Sequence, residues 1–287
     1  MPKIATQTSD FDFNVEQVAL FDSEGRRSGF YGNQRTDTGA VLGVTSDRYG
    51  IVQHGSLIEA AEEGFKNAGL GEFERNVFIT GDGARMRTHY DFKNQTRALR
   101  REDRQVGDEV GLRLTLQNSF DRSLRVSFAL GMLRLVCTNG MVARDSQSVI
   151  KVKHSSQMED KLQSYVDTQM EEIKSAYAET KQIIYSLAET PVTSTDAKEV
   201  INRLFKGESK RAENIRDEVF SRFSKGMGNR GETAWDLVNG ITEYQNHGKA
   251  HRSSEASSVA ENRLTSLTLG SDATFMHRVW TECMALN

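Results

Sequence analysis

The segment Asn-Val-Phe-Ile-Thr-Gly-Asp-Gly-Ala-Arg-Met-Arg-Thr-His-Tyr-Asp-Phe, residues 76–92, contains two extended runs separated by a Gly-Asp-Gly turn. Apolar and polar side chains alternate on both sides of the turn, which is the pattern of strands with one buried face. An Asp-Gly step between such runs is typical of a β-hairpin. This segment therefore predicts an antiparallel sheet.

The same alternation continues downstream in residues 110–118 and 124–136, which a polar turn separates. Residues 76–153 are therefore predicted to form an antiparallel meander. Upstream, residues 39–52 are rich in β-branched side chains between glycines, and we expect a hairpin with its turn near Ser46 and Asp47.

Helical periodicity flanks the predicted strands. Residues 56–70 carry an apolar stripe at a spacing of three to four residues, and residues 154–189 repeat it up to Pro191. Four shorter helices are expected further on: 195–206, 209–224, 232–246 and 273–284. The predicted fold class is α+β: an antiparallel sheet of about four to six strands, one preceding helix, a long crossing helix and a helical C-terminal half.

We expect three regions along the chain. Residues 1–38 are polar and poor in aliphatic side chains, which favours a flexible N-terminal arm with one short helix or strand. An α+β core domain is predicted over residues 39–190. A helical C-terminal region follows over residues 191–287.

The composition excludes several classes of protein. The 287 residues include 37 basic and 40 acidic side chains and only 2 cysteines, so neither a disulfide framework nor a cysteine-rich zinc site is expected. No apolar run is long enough for a transmembrane helix, and no secretory signal is visible at the start of the sequence. We therefore expect a protein of the host cell cytoplasm that does not bind membranes.

The motifs for metals and nucleotides are incomplete. His247 and His251 have the spacing of helical zinc ligands, but Gly248 stands where the catalytic glutamate would follow. Residues 226–231 spell Gly-x-Gly-x-x-Gly without a preceding strand, so a dinucleotide site is rejected. Cys137 fits a small core residue better than a nucleophile. We predict no catalytic residue, no metal and no cofactor.

Charge is distributed unevenly. Residues 85–153 contain 14 basic and 7 acidic side chains, although the whole chain has a net charge of −3. This asymmetry indicates contact with a polyanion. The predicted nucleic-acid-binding residues are Arg85, Arg87, Arg113 and Arg125 on polar strand faces, Arg97, Arg100, Arg101 and Arg104 in a mobile basic flap, and Lys151 and Lys153.

Aromatic residues near these arginines could stack on bases, and we single out Tyr90, Phe92 and Phe120. The simpler alternative is a sheet whose polar face is only hydrated, or is covered by an acidic helix.

Four segments carry a resemblance to a known family: Val41–His54, Leu116–Asp121, Leu133–Val142 and Ala234–His247. They are similar to the phage/plasmid-like protein family, a domain of unknown function carried by phages, prophages and plasmids. The resemblance implies a mobile-element origin and supplies no catalytic residues. The order of elements also resembles the core of phage single-strand annealing proteins, which are oligomeric, use no nucleotide and hold a strand in a basic groove.

These observations lead to three hypotheses. The first is a non-enzymatic protein that binds and anneals single-stranded DNA during recombination or replication, as a homo-oligomer. The second is a protein-binding phage factor that inhibits a host defence or nucleic-acid enzyme. The third is a metal-dependent nuclease, for which Asp82, Asp91 and Asp121 are the candidate ligands.

Overall fold

The computed structural model describes residues 11–98, 109–134, 139–142, 149–152, 154, 161–248, 266 and 271–286. The fold is α+β, as predicted. The strands are β1 Val15–Phe21, β2 Arg27–Arg35, β3 Val41–Ser46, β4 Phe73–Thr80, β5 Arg85–Ala98, β6 Glu109–Ser119, β7 Val126–Arg134, β8 Asn139–Val142 and β9 Val149–Val152. The α-helices are α1 His54–Asn67, α2 Leu162–Glu189, α3 Ser194–Leu204, α4 Lys210–Lys225, α5 Ala234–Glu243 and α6 Ser271–Met284.

The larger sheet has the strand order β4-β5-β6-β7-β8, and β9 also pairs with β7. The predicted β4–β5 hairpin is confirmed, with Val77 opposite Thr88. Its turn needs positive φ at three successive residues: 62° at Gly81, 56° at Asp82 and 105° at Gly83. Glycine and aspartate tolerate this left-handed conformation, which is why the Gly-Asp-Gly sequence marks the turn.

Helix α1 packs on the apolar side of this sheet, and the first part of α2 packs against α1. The ring of Phe65 on α1 lies edge to face with that of Tyr90, 4.8 Å between centroids. Gly64 lies where α1 approaches α2, because a Cβ at that position would be 2.5 Å from Val166 Cγ1. The predicted helix over 56–70 is confirmed. The long helix is confirmed from Leu162 to Glu189, and residues 155–160 lie outside the described residues.

A second sheet, with the order β1-β2-β3, precedes α1 and differs from the prediction. Two of its strands lie within the predicted flexible arm. Residues 39–52 form no hairpin, since β3 pairs instead with β2, which places Gly32 opposite Val44. Tertiary contacts explain the difference: Asn33 is fully buried and donates from Nδ2 to the carbonyl oxygen of Phe120 at 2.6 Å.

The chain divides into two compact units. The first contains Met1–Gln95, Arg113–Leu130 and Gln147–Ser175; the second contains Thr96–Leu112, Gly131–Ser146 and Ala176–Asn287. The units interleave along the sequence, and the predicted domain boundaries after residues 38 and 190 stay predictions.

The second unit contains the predicted C-terminal helices, all four of which are confirmed. Thr193 and Thr233 each form a capping box at the start of α3 and α5. Every residue of α5 is buried, and its Trp235 lies against Trp280 of α6. Among the described helices, none combines the length and the hydropathy that crossing a bilayer requires.

Candidate nucleic-acid interface

One face of the β5–β6 pair carries four polar contacts between neighbouring strands, which we call the polar ladder: Arg85 with Asp121, Arg87 with Gln117, His89 with Thr115, and Asp91 with Arg113. Because side chains alternate along a strand, every second residue of β5 lies on this face. The opposite face carries Met86, Tyr90 and Leu114, all fully buried in the core. The alternation in the sequence thus separates an apolar face from a polar one.

Ion pairs close the two ends of the ladder. Arg113 donates to both carboxylate oxygens of Asp91, at 2.5 Å from Nε and 2.6 Å from Nη2. At the other end, Arg85 Nε donates to Asp121 Oδ2 at 2.7 Å. Burial alone would raise the pKa of Asp121, but hydrogen bonds from Ser123 and Arg85 hold it below its usual range. Asp121 is therefore an anion at neutral pH.

A hydrogen-bonded row crosses the sheet at the middle of the ladder. Arg87 Nε donates to Gln117 Oε1 at 2.9 Å, and Gln117 Nε2 donates to Ser127 Oγ at 3.3 Å. Lys151 of β9 occupies the register position opposite Ser127. The sheet therefore brings Lys151 into the same row as Arg87, although 64 residues separate them in sequence.

The edge strand β4 adds an aromatic side chain to the polar face. Phe78 is the register partner of Arg87, and its half-buried ring lies edge to face with His89 at 5.2 Å between centroids. Loss of hydration lowers the pKa of His89 to about 3, with the charges of Arg113 and Arg87 adding to the effect. His89 is therefore neutral at physiological pH.

The polar face has an excess of positive charge. Arg125 is exposed and lies two residues before Ser127, the spacing that puts two side chains on one face of an extended chain. Among the described side chains, the basic residues of the face are Arg85, Arg87, Arg113 and Arg125, and the acidic ones are Asp91, Asp121 and Glu74, which is the register partner of Asp91. Four basic against three acidic groups leave one positive charge, and Lys151 occupies a further register position of the sheet.

The structure brings Arg85, Arg87, Arg113 and Arg125 to one face and pairs the first three with acceptors there. Arg87 is only 3% exposed, and the ion pairs at the ends engage Arg85 and Arg113, with side chains 35% and 22% exposed. The neighbouring strand and the turn after it supply an acceptor to each of these three arginines, and their role as phosphate ligands stays a prediction. Arg125 is exposed as expected.

The remaining predicted residues are only partly placed. Arg97 lies on β5, with its side chain outside the described part of the structure. Arg100, Arg101, Arg104 and Lys153 lie outside the described residues.

The three aromatic residues predicted for base stacking are buried in the core and do not lie on the polar face. Tyr90, Phe92 and Phe120 are at most 2% exposed in the core. Phe78, which the sequence analysis did not single out, is the aromatic side chain on the polar face. Its position in the hairpin could have identified Phe78 from the sequence, because pairing across the Gly-Asp-Gly turn puts Phe78 opposite Arg87.

The acidic residues considered for a nuclease do not form a cluster here. Asp91 and Asp121 bind different arginines at opposite ends of the polar ladder. Within the described part of the chain, no three His, Cys, Asp or Glu side chains are grouped so as to hold a metal ion.

A second surface was missed by the sequence analysis. The face of the β1-β2-β3 sheet that points away from Asn33 carries apolar side chains, and we call it the outer face: Val18, Leu20, Phe30, Val41 and Val44. Phe30, Val41 and Val44 are 55%, 51% and 50% exposed. The side chains of Val18, Leu20 and Val41 meet over Gly32. The spacing of Val18 and Leu20 in β1 was the available signal, whereas β2 places only Phe30 as an apolar side chain on this face.

A family model described as a domain of unknown function (DUF932) matches residues 41–268. This range begins at β3 and includes the whole polar ladder. No curated protein and no solved structure matches the chain.

Proposed function

The chain belongs to the DUF932 family, whose function is unknown, and we propose that it is a non-enzymatic protein that binds single-stranded DNA and promotes annealing. The observation that carries the proposal is the polar face of the larger sheet, where four arginines outnumber three carboxylates among the described side chains and Lys151 occupies a further register position. Such an excess attracts a polyanion and steers its approach. The resemblance to phage and plasmid proteins adds the proposed setting, recombination or replication of a mobile element in the host cytoplasm.

Phosphate groups are the proposed ligands of the basic residues. Arg125 is exposed, and Lys151 is in register with Ser127 beside it on the sheet. A guanidinium donates to the oxygens of a phosphate in the same geometry as to those of a carboxylate. The phosphates of a DNA strand can therefore displace Asp91 from Arg113 and Asp121 from Arg85. A DNA strand that binds several of these groups gains more binding free energy than the two ion pairs contribute, because partly exposed ion pairs contribute little.

A salt titration tests the proposal. The full chain is titrated into a fluorescein-labelled oligothymidine at several salt concentrations, and anisotropy reports binding. Removal of one phosphate-binding side chain should reduce the slope of log affinity against log salt by about 1. We expect this reduction for Arg125→Ala and for Lys151→Ala. The matched control is Lys66→Ala, an exposed residue on α1. Absence of binding at low salt, or equal slopes in all four proteins, would contradict the proposal.

We also propose that the protein assembles with copies of itself through the outer face of the small sheet. Exposed apolar groups of this kind mark protein interfaces. The face carries one charged side chain among its described positions, Glu16 at its rim, so a polyanion does not fit it. A second copy offers an equally apolar and equally uncharged surface. Two such sheets packed face to face would bury Phe30 and Val44 of both copies.

A further inference from the structure

The position of Phe78 on an edge strand leaves room for a ligand beside its ring. In the described part of the sheet, β4 has a neighbour only on the β5 side. The ring of Phe78 is half-buried and lies nearly perpendicular to that of His89, at an interplanar angle of 89°. A half-buried aromatic ring next to a neutral imidazole is an apolar position within an otherwise polar face.

Two arginines of the polar face lie near Phe78 in the register of the sheet. Arg87 is the register partner of Phe78, and neighbouring strands are about 5 Å apart. Arg85 lies two residues from Arg87 on the same face, about 7 Å along the strand, with its side chain 35% exposed. A nucleotide whose phosphate contacts Arg85 therefore has its base within reach of the Phe78 ring.

The chemistry of the ring decides which nucleic acid fits. Every base offers a flat face that stacks on an aromatic side chain, and this contact contributes about 1–3 kcal/mol per base. A base inside a duplex already stacks on its neighbours and cannot reach a ring on the protein surface. Arginine contacts alone would bind single and double strands alike, because both present phosphates.

We propose that Phe78 is a stacking platform for an unpaired base and gives the polar face its preference for single strands over duplexes. This inference rests on the proposed function and adds the group that recognises the bases. Phe78 supplies no charge, so its contribution is independent of the salt concentration, unlike that of the arginines.

A tryptophan in place of Phe78 makes the contact visible. The native Trp235 and Trp280 are fully buried, so a Phe78→Trp protein gains one accessible indole. We expect its added fluorescence to be quenched by oligothymidine but not by inorganic polyphosphate, which has the charges without bases. The matched control is Phe30→Trp, which places an indole on the exposed outer face, and we expect no quenching there.

Affinity measurements complete the test. Phe78→Leu keeps an apolar side chain but loses the flat ring, and we expect about tenfold weaker binding of oligothymidine with unchanged binding of polyphosphate. The ratio of the affinity for oligothymidine to the affinity for a duplex of the same length should fall by the same factor. If the Phe78→Leu protein binds oligothymidine as well as the native chain does, and Phe78→Trp shows no quenching, the inference is wrong while the proposed function stands. If the native chain binds no oligothymidine at low salt, both fail.

Discussion

Arg113 donates from Nε and Nη2 to both carboxylate oxygens of Asp91, which closes one end of the polar ladder with a side-by-side ion pair. Both side chains are about one-fifth exposed. The same edge of the guanidinium would bind two oxygens of a phosphate. Asp91 therefore competes for Arg113 with the phosphate of any DNA strand that binds there.

Replacement of Asp91 by asparagine should strengthen binding of single-stranded DNA. Asp91→Asn removes a negative charge and frees Arg113 for phosphate, and a partly exposed ion pair of this kind contributes ~0.5–1 kcal/mol, so we expect about a threefold gain. Anisotropy with labelled oligothymidine at fixed salt measures it. Asp37→Asn is the control, since Asp37 pairs with Arg35 outside the polar ladder. Weaker binding by Asp91→Asn would show that Asp91 supports the site rather than competes for it.

The free energy of unfolding should decrease as the pH is lowered, already above the pH range in which the carboxylates titrate. Burial lowers the pKa of His54 from 6.5 to about 3, and that of His89 falls equally. Because both folded-state pKa values are depressed, the unfolded chain binds more protons, and stability is lost as the pH falls below 6.5 toward 3. As the pH falls from 6.5 to about 5, the loss for each histidine should rise toward about 1.4 kcal/mol per pH unit.

Urea unfolding at a series of pH values measures this slope. His54 Nε2 lies 3.1 Å from the Gly83 carbonyl oxygen, and its Nδ1 lies 3.0 Å from Asn118 Nδ2. His54→Gln keeps a donor and an acceptor but cannot bind the proton, so the slope between pH 6.5 and about pH 5 should fall by the share of one histidine, while His89 and His154, whose pKa burial also lowers, keep theirs. An unchanged slope in this variant would refute the assignment.

Two glycines of α1 should respond oppositely to alanine. Gly64→Ala places a Cβ 2.5 Å from Val166 Cγ1, and such overpacking costs about 1–3 kcal/mol. Gly55 has only Asp12 Oδ1 near its Cβ position, at 3.7 Å, so Gly55→Ala should gain up to about 1 kcal/mol from the lower entropy of the unfolded chain. Chemical denaturation compares the two variants, and equal effects would contradict the close approach of α1 and α2.

Polar substitutions on the outer face should weaken self-association. Phe30→Ser with Val44→Thr removes two of the three apolar side chains that are most exposed on the outer face. We expect the particle mass measured by sedimentation to fall toward that of the 32.2 kDa chain. Met227→Ser is the matched control, because Met227 is 48% exposed in the second unit. A native protein that sediments as a monomer would exclude this assembly.

The sequence predicted those elements whose signals are local. The helices after residue 190 follow from apolar periodicity and from Thr193 and Thr233, whose side chains bind backbone N–H groups three residues on. The β4–β5 hairpin follows from three residues that accept positive φ. These interactions span a few residues, so they can be read without knowledge of the fold.

The small sheet was missed because its stability is not local. Strands β1 and β2 contain glycines and polar residues such as Gln17 and Asn33, which alone are typical of a loop. Thr45 Oγ1 donates to Asn33 Oδ1, and Asn33 Nδ2 reaches the carbonyl oxygen of Phe120, 87 residues away. Only folding brings these groups together and compensates for the burial of the amide.

The sequence by itself determined the local elements and the residues that share a face, because the periods of strand and helix are properties of the backbone. The alternation therefore placed Arg85 and Arg87 together on the polar side of β5. Only the tertiary structure decided which partners they have and how far water reaches them. Ion pairs and hydrogen bonds depend on distances of a few ångströms, and the pairing of β5 with β6 and the turn after it set those distances for Asp121 and Gln117.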